Sequence, residues 1–380
     1  MSLAGMELNS THASAVSGPD GVAPMALLLD GEATDLPMAI SIEHRRPEVG
    51  RVGASLCRQY PHLACLDFLP VLGTSQTWGS RRRRLDAAKA LALIFDHLRP
   101  ALVGINALVV AVPSYLTTAQ VHLLLPAARK SRLPIVGSAS SSLAAALAAH
   151  AERPLTGLVL LIDADDHALS WSLLKFGQEK GQVVGSKSLP NLGLRVWKGC
   201  LLDAIADSCI HQSRRDPRDS GAAEQLLYDQ LDDVLEVSRR DEMVEVVIRA
   251  ANWCQNLILQ PQHVRSYCSA LVAEAIEEIR AVVAEAPDSY PGVVLLTAAA
   301  AQLPGLAGAL HHETPEAVPV ISLAGDAAAR GAHALAARIQ RGELPRGHLE
   351  GAVPLARSEL SSTAAAGRRV ISITSIAGRK

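Results

Sequence analysis

The chain has 380 residues, of which 49% are hydrophobic, 3% aromatic and 19% charged. This length exceeds one ordinary domain and allows two units of roughly 150 residues, each with a core of aliphatic side chains. The net charge of −2 provides no positive field that would attract nucleic acid or an anionic membrane surface, so we expect neither as a partner.

Six cysteines are scattered without a C-x-x-C pair or a histidine at metal-ligand spacing, and we interpret them as buried thiols in a reducing compartment. The first 22 residues lack a basic segment followed by an apolar core, and no stretch of eighteen apolar residues follows later. We therefore predict a cytoplasmic protein.

Short apolar runs that are typical of buried strands alternate with longer helical patterns, which predicts an α/β fold. Segments 1–22 and 356–380 are polar and rich in small residues, and they are predicted to be disordered tails. The predicted strands are Met25–Leu29, Met38–Ile42, Ala107–Val112, Leu158–Ile162, Leu169–Phe176, Val183–Val184, Val293–Thr297 and Val318–Ser322. The predicted helices are Leu85–Leu98, Thr118–Lys130, Ser141–His150, Arg195–Gln212, Ala222–Ser238, Val264–Ala284 and Asp326–Arg341.

Two of the predicted strands end in the same way. Leu27–Asp30 and Leu160–Asp163 are both aliphatic runs that finish in an aspartate. Two duplicated lobes that face a common cleft would produce this repetition.

The segment Val110–Leu116, followed by Gln120 and Leu133–Val136, resembles the pattern VVTVPAYF-x-x-x-QR…AGL-x-V of the 70-kDa heat-shock chaperones. The resemblance continues in the same order over about residues 25–355. Ser140–Ala146 is similar to NEPTAAA, Asp163–Ala168 to the loop DLGGGT, Val293–Pro304 to VLVGGSTRIP, and Asp326–Ala332 to DEAVAYGAA.

This resemblance to the nucleotide-binding domain of the chaperones implies an actin-like ATPase fold, in which two lobes, each a mixed sheet flanked by helices, surround a central cleft. The first lobe would span 23–155, with a shortened upper subdomain. The second would span 156–345, with its C-terminal helix returning to the first lobe. Residues 346–380 would form a linker-like segment and a disordered tail without a peptide-binding domain, and Gly351–Leu355 is expected to dock onto the domain.

In this family ATP lies between the lobes, where glycine-rich turns bring backbone N–H groups close to the phosphates. The family's first loop, DLGTT, is similar to Asp30–Thr34, in which Glu32 replaces the phosphate-contacting glycine. In the second loop Asp165, Asp166 and His167 stand at the three glycine positions, and extra carboxylates there oppose a triphosphate. The sequence therefore predicts that ATP hydrolysis has been lost.

The resemblance leaves Asp30, Thr34 and Asp163 as residual catalytic candidates, and Asp30 and Asp163 as candidate magnesium ligands, although both acids also fit simple turn caps. The NEPTAAA glutamate aligns with Ser141, and the adenine-side acid with Asp232. The candidate nucleotide-binding residues are Asp30, Gly31, Thr34, Gly193, Ala298, Ala299 and Asp326.

The first functional hypothesis is a pseudo-ATPase without a cofactor that binds other proteins. The alternative is a divergent ATPase that binds ATP or ADP with magnesium through Asp30, Thr34 and Asp163. A third and weaker hypothesis is a sugar-kinase or cell-division relative of the same superfamily, against which the segment VPSYL-x-x-x-Q favours the chaperone branch.

Overall fold

The computed structural model describes residues 1–80, 84–284, 290–349 and 351–355, so the predicted tail 356–380 lies outside the described residues. The strands in chain order are β1 (Ser2–Leu8), β2 (His12–Pro19), β3 (Met25–Ala26), β4 (Asp35–Pro37), β5 (Ile40–Ser41), β6 (Glu48–Val49), β7 (Ala64–Cys65), β8 (Thr77–Trp78), β9 (Leu85–Asp86), β10 (Ile105–Val112), β11 (Ile135–Ser140), β12 (Gly157–Ala164), β13 (Leu169–Phe176), β14 (Lys180–Leu189), β15 (Val244–Ala250), β16 (Trp253–Leu259), β17 (Val293–Leu296), β18 (Val320–Ser322), β19 (Gly347–Leu349) and β20 (Ala352–Pro354). The helices are α1 (Arg51–Ala54), α2 (Ala87–Leu98), α3 (Thr118–Lys130), α4 (Ser141–Glu152), α5 (Leu194–Ser213), α6 (Gly221–Asp229), α7 (Leu231–Arg239), α8 (Pro261–Tyr267), α9 (Ser269–Ala284), α10 (Ala298–Gln302), α11 (Leu306–Glu313) and α12 (Ala327–Gln340).

Two large mixed sheets organise the chain. The first has the order β19-β11-β10-β1-β2-β3, with β4 also paired to β2. Its strands β1, β10 and β11 are parallel, whereas β2 is antiparallel to β1 and β3 is antiparallel to β2. The central strands β1 and β10 are almost entirely buried, as expected where both faces of a sheet are covered.

The second sheet repeats this arrangement. Its order is β18-β17-β12-β13-β14-β20, with β12, β17 and β18 parallel and β13 and β14 joined to β12 as an antiparallel meander. Strands β12, β13, β14, β17 and β18 thus correspond in order and direction to β1, β2, β3, β10 and β11. Each sheet therefore contains the same five-strand unit, and Glu7 in β1 occupies the position of Asp163 in β12.

Helix α12 packs closely on the first sheet and on α4. At this seam two glycines permit contact between backbones. A Cβ atom on Gly5 would lie 2.0 Å from the carbonyl oxygen of Ala329, and one on Gly331 would lie 1.8 Å from that of Ala144. Such distances are incompatible with any side chain, so the packing of α12 requires glycine at both positions.

The beginning of the chain is strand, and the predicted disordered tail over 1–22 is wrong. Strands β1 and β2 cover Ser2–Leu8 and His12–Pro19, and β1 is the strand on which both β2 and β10 pair. Gly, Ala and Ser dominate the composition of this segment, which is why its sequence alone favours a tail. Here those small residues are packed beneath α12, and their sequence lacks the large β-branched residues that usually indicate a strand.

Most of the other predicted elements are present with adjusted ends. The helix Thr118–Lys130 and the strand Leu169–Phe176 were predicted with their observed bounds. Of the predicted strand Met25–Leu29, only Met25–Ala26 is a strand in the structure. Of the predicted strand Met38–Ile42, only Ile40–Ser41 is. Helix 222–238 is divided into α6 and α7, helix 264–284 into α8 and α9, and the hairpin β15–β16 was not predicted.

The segment Gly351–Leu355 docks onto the second sheet, as expected from the sequence. Strand β20 pairs antiparallel with β14, joining Lys180 to Pro354 and Gln182 to Ala352, and the side chain of Val353 is fully buried. Among the described residues, no helix has both the length and the apolar character needed to cross a bilayer.

Candidate functional site

A cleft with a volume of about 910 Å³ lies between the two five-strand units. Its floor is formed by Ser10, Thr11 and Asp166, which belong to the turns after β1 and β12. Its walls come from the segment around α1 on one side and from α5, α6 and α7 on the other. This volume lies within the range of known ligand pockets, so the cleft is the candidate site.

The turn between β1 and β2 is closed by the side chain of Asn9. Its Oδ1 atom accepts hydrogen bonds from the backbone N–H groups of Thr11 and His12, both at 2.9 Å. Its Nδ2 atom donates to Glu7 Oε1 at 3.2 Å. This arrangement is an Asx turn, in which a side chain satisfies the backbone donors two and three residues later.

The turn between β12 and β13 has the same construction, with Asp165 in the place of Asn9. Its Oδ1 atom accepts from the N–H groups of His167 at 3.0 Å and Ala168 at 2.9 Å. Gly193 packs against this turn, since a Cβ atom there would lie 2.5 Å from the carbonyl carbon of His167. The two hairpin turns are therefore equivalent in geometry but differ in charge.

The second oxygen of Asp165 binds the other turn. Asp165 Oδ2 accepts from the N–H of Ser10 at 2.9 Å and from the Tyr115 hydroxyl at 2.6 Å. In return, Thr11 Oγ1 accepts from the N–H of Asp166 at 2.8 Å. Each backbone N–H from Ser10 to His12 and from Asp166 to Ala168 thus has an acceptor within the protein.

Asp165 is almost fully buried, with 4% of its surface exposed. Burial raises the pKa of its carboxyl group above the usual value, while the hydrogen bonds from Tyr115 and Ser10 act in the opposite direction. Four donors surround the two oxygens, so the site suits an acceptor-only carboxylate. Since Tyr115 donates to Asp165, the Ser10 hydroxyl at 2.8 Å donates to Tyr115.

Two acids lie at the equivalent strand ends behind these turns. Burial is the main cause that raises the pKa of both Glu7 and Asp163, and the charge of Asp163 raises that of Glu7 further. Asp163 accepts from Thr297 Oγ1 at 2.9 Å and from Ser141 Oγ at 3.4 Å. Hydroxyl groups of Thr297 and Ser141 therefore hold Asp163.

Basic side chains in the cleft are already paired with acids. Arg195 Nη1 lies 2.5 Å from Asp67 Oδ2, and its Nη2 lies 3.8 Å from Asp166 Oδ2. Lys198 is 5% exposed and contacts Asp232 Oδ1 at 2.6 Å. Burial opposes the charge of Lys198, but Asp166 and Asp232 outweigh it and hold its pKa above the usual range.

The charges that line the cleft are predominantly acidic. Four basic residues face it, Arg51, Arg58, Arg195 and Lys198, against six acids, Asp35, Asp166, Asp229, Asp232, Asp233 and Glu236. A nucleoside triphosphate would meet net repulsion as well as turns without a free N–H donor. The residues present therefore do not fit magnesium-bound ATP in the manner of a phosphate-binding loop.

The predicted first phosphate loop, Asp30–Thr34, lies outside the cleft lining. Asp30 forms an isolated bridge with Ala33 in a tight turn, and its carboxylate lies 3.9 Å from Arg51 and 3.8 Å from His97. Asp30, Gly31 and Thr34 are thus not among the residues that line the cleft, and a nucleotide-binding role for them stays a prediction. The turn after β1, Asn9–Thr11, occupies that place instead.

The other predicted residues have varied positions. Ala299 and Asp232 line the cleft, and Gly193 supports the second turn, as described above. Ala298 is the first residue of α10, next to the cleft-lining Ala299. Asp326 precedes α12 and forms a salt bridge with Arg330 at 2.8 Å, so its carboxylate is already paired.

The residues missed from the sequence are Glu7 and Asn9–Thr11. A signal was present, because Glu7–Thr11 shares leucine and the final threonine with DLGTT, but it lies inside the segment that composition assigned to a tail. Among the described residues, no group of three or more His, Cys, Asp or Glu side chains could hold a metal ion. No protein-family model matches the chain, and no curated protein matches it significantly.

Proposed function

We propose that the chain is a degenerate actin-like protein, related to the nucleotide-binding domain of the 70-kDa heat-shock chaperones, that binds proteins in the cytoplasm without hydrolysing ATP. The duplicated five-strand unit with a cleft between the copies supports the fold assignment. The proposal that ATP hydrolysis is lost depends on one observation. Asp165 and Asn9 accept the backbone donors that an ATPase of this fold would offer to phosphates.

The carboxylate of Asp165 stands where a phosphate oxygen would be bound, between the N–H groups of the two turns. A nucleotide would have to displace it and would leave a buried carboxylate without its four donors. Breaking several charge-assisted hydrogen bonds in a buried site costs several kcal/mol. The cleft is therefore closed to phosphates by the protein's own side chain.

Thermal unfolding with and without millimolar Mg-ATP or Mg-ADP tests the loss of nucleotide binding. A ligand at about 100 times its Kd would add about 2.7 kcal/mol of stability and raise Tm by several degrees. We expect no shift with either nucleotide. A shift of several degrees would contradict the proposal.

Support for protein binding comes from an exposed apolar segment at the edge of the first sheet. Val22, Met25 and Leu28 are 56%, 77% and 56% exposed, and no charged residue lies between Asp20 and Asp30. Contiguous exposed apolar surface next to an edge strand is typical of interaction sites. The double variant Met25→Lys and Leu28→Lys should therefore lose bound proteins, whereas Val103→Lys, at an 80% exposed apolar position elsewhere, should retain them.

Quantitative affinity purification of the tagged chain compares these variants. Partners that are retained by wild type and by the Val103 variant but lost from the double variant would support the proposal. Equal recovery from all three proteins would remove the edge segment as the binding surface.

The alternative function, a divergent ATPase, is favoured by the size of the cleft and by the equivalent acids Glu7 and Asp163 behind its floor. It requires the turns to rearrange around a nucleotide. Magnesium-dependent ATP turnover that is abolished by Asp163→Asn would establish it. Absence of turnover in the wild-type protein would exclude it.

A further inference from the structure

Two cysteines come together where α5 packs against the junction of α8 and α9, beside the second five-strand unit. Cys200 is in α5, and Cys268 is the single residue that separates α8 from α9. Cys200 Sγ donates to the carbonyl oxygen of Tyr267, the residue before Cys268, at 3.2 Å, and each of the two thiols affects the pKa of the other. The hydrogen bond to Tyr267 holds the thiol of Cys200 at this junction, next to Cys268.

The surrounding contacts hold both cysteines in place. Helix α5 meets Tyr267 a second time, through the Ser208 hydroxyl at 3.3 Å from the Tyr267 hydroxyl. Cys268 is completely buried, whereas Cys200 is only half-buried and is open to a reagent in solution. One accessible thiol beside one buried thiol is the arrangement in which a mixed disulfide at the first can be resolved by the second.

The other cysteines have different surroundings. Cys57 contacts the side chain of Gln225, Cys209 contacts Ser213, and Cys65 is buried in the core of the first unit. Cys254 is exposed, contrary to the expectation that all six thiols are buried. Accessibility alone would therefore make Cys254 the first target of an oxidant, and it serves as an internal comparison.

We propose that Cys200 and Cys268 form a reversible disulfide when the protein meets a small disulfide oxidant of the glutathione class. The Cys200 thiolate attacks the oxidant, forms a mixed disulfide and releases one glutathione thiolate. The Cys268 thiolate then attacks Cys200 Sγ and releases the second glutathione. The two cysteines lose two protons and two electrons in total, and the oxidant is reduced to two thiols.

The disulfide would close a loop that contains α6, α7 and the hairpin β15–β16. This loop supplies the acidic wall of the cleft, including Asp229, Asp232 and Glu236, while α5 supplies Arg195 and Lys198. Oxidation would therefore cross-link α5, which carries the basic residues of the cleft, to the end of the segment that carries its acidic wall. A cross-link over a loop of this length restricts the unfolded chain strongly and should raise Tm by several degrees.

The experiment treats the purified full-length chain with millimolar oxidised glutathione, blocks free thiols with an alkylating reagent and maps the peptides by mass spectrometry without reduction. We expect a Cys200–Cys268 cross-linked peptide that disappears after dithiothreitol. Burial raises the pKa of both thiols, so the rate should increase about tenfold per pH unit between pH 7 and 9. Limited proteolysis should cut residues 201–267 more slowly after oxidation.

Matched variants make the result specific. Cys254→Ser should form the cross-link as wild type does, and Cys200→Ser should not form it. Should Cys200→Ser fail to fold, the peptide map of the wild-type protein decides alone. Glutathione on Cys254 or Cys200, together with an alkylated and therefore unoxidised Cys268, would overturn the proposal. This result does not depend on whether the cleft binds a nucleotide.

Discussion

The turns after β1 and β12 show how one geometry can serve two different purposes. Asn9 and Asp165 are equivalent in the duplicated unit, and each accepts the N–H groups two and three residues later. The neutral Asn9 donates its remaining side-chain hydrogen bond, from Nδ2, to Glu7 in the strand before its own turn. The acidic Asp165 has a second oxygen that reaches Ser10 and Tyr115. The charge thus converts a local turn into a link between the two units.

The largest expected effect follows from removing this link. Asp165→Ala leaves four donors without an acceptor, two in its own turn and two across the cleft floor. We expect a loss of about 3–4 kcal/mol in the free energy of unfolding, measured by urea denaturation. A loss below 1 kcal/mol would mean that solvent replaces the carboxylate without cost and that the site is not closed as described.

Asn9→Ala sharpens the comparison, since it removes the equivalent turn closure without breaking a contact between the turns. We expect a loss of about 1–2 kcal/mol in the same urea experiment. The difference between the two variants measures what the charge adds. Equal losses would show that both turns contribute only local hydrogen bonds.

The buried acids behind the turns should make stability depend on pH. The folded pKa of Glu7 lies above its ordinary value of 4.5, chiefly because of burial, so the folded state retains a proton that the unfolded chain loses. The contribution of Glu7 to the free energy of unfolding is complete below pH 4.5. It is lost as the pH rises through the raised pKa of Glu7 in the folded state, by at most about 1.4 kcal/mol per pH unit.

Glu7→Gln should abolish the part of the pH dependence that Glu7 causes. The stability of this variant relative to wild type should therefore increase from pH 5 towards neutral pH. Chemical denaturation at several pH values measures the difference. Glu32→Gln, at an exposed position, provides the control and should follow the wild-type profile. A constant difference between Glu7→Gln and wild type at all pH values would show that Glu7 has an ordinary pKa in the folded protein.

A second contrast concerns the outer strands β3 and β14, which hold equivalent positions. Strand β20 covers the beginning of β14, whereas Met25 in β3 is largely exposed. A chain ending at Leu349 should lose about 1 kcal/mol relative to one ending at Leu355, because Val353 leaves its buried site. Hydrogen exchange should increase at residues 180–183 in the shorter chain, and unchanged protection there would exclude docking of the segment in solution.

The sequence predicted strands and helices well where aliphatic periodicity was strong, as in β13 and α3. It failed at β1 and β2, where small residues satisfy packing against α12 and give no hydrophobic periodicity. That failure displaced the first turn of the site from Asn9–Thr11 to Asp30–Thr34. Asp165 was identified as an obstacle to phosphate, but its hydrogen bonds to Ser10 and Tyr115 depend on contacts between distant segments, which no local pattern encodes.

The seam at Gly5 and Gly331 has a consequence for how this protein can change over time. The two backbones touch there directly, so the mutual orientation of α12, β1 and α4 does not depend on the rotamers of larger side chains. Loops at the cleft can then change in sequence while the frame keeps its shape. In a saturation mutagenesis experiment these two positions should reject every substitution. Gly308, which lies in α11 with space around its Cβ position, should accept alanine.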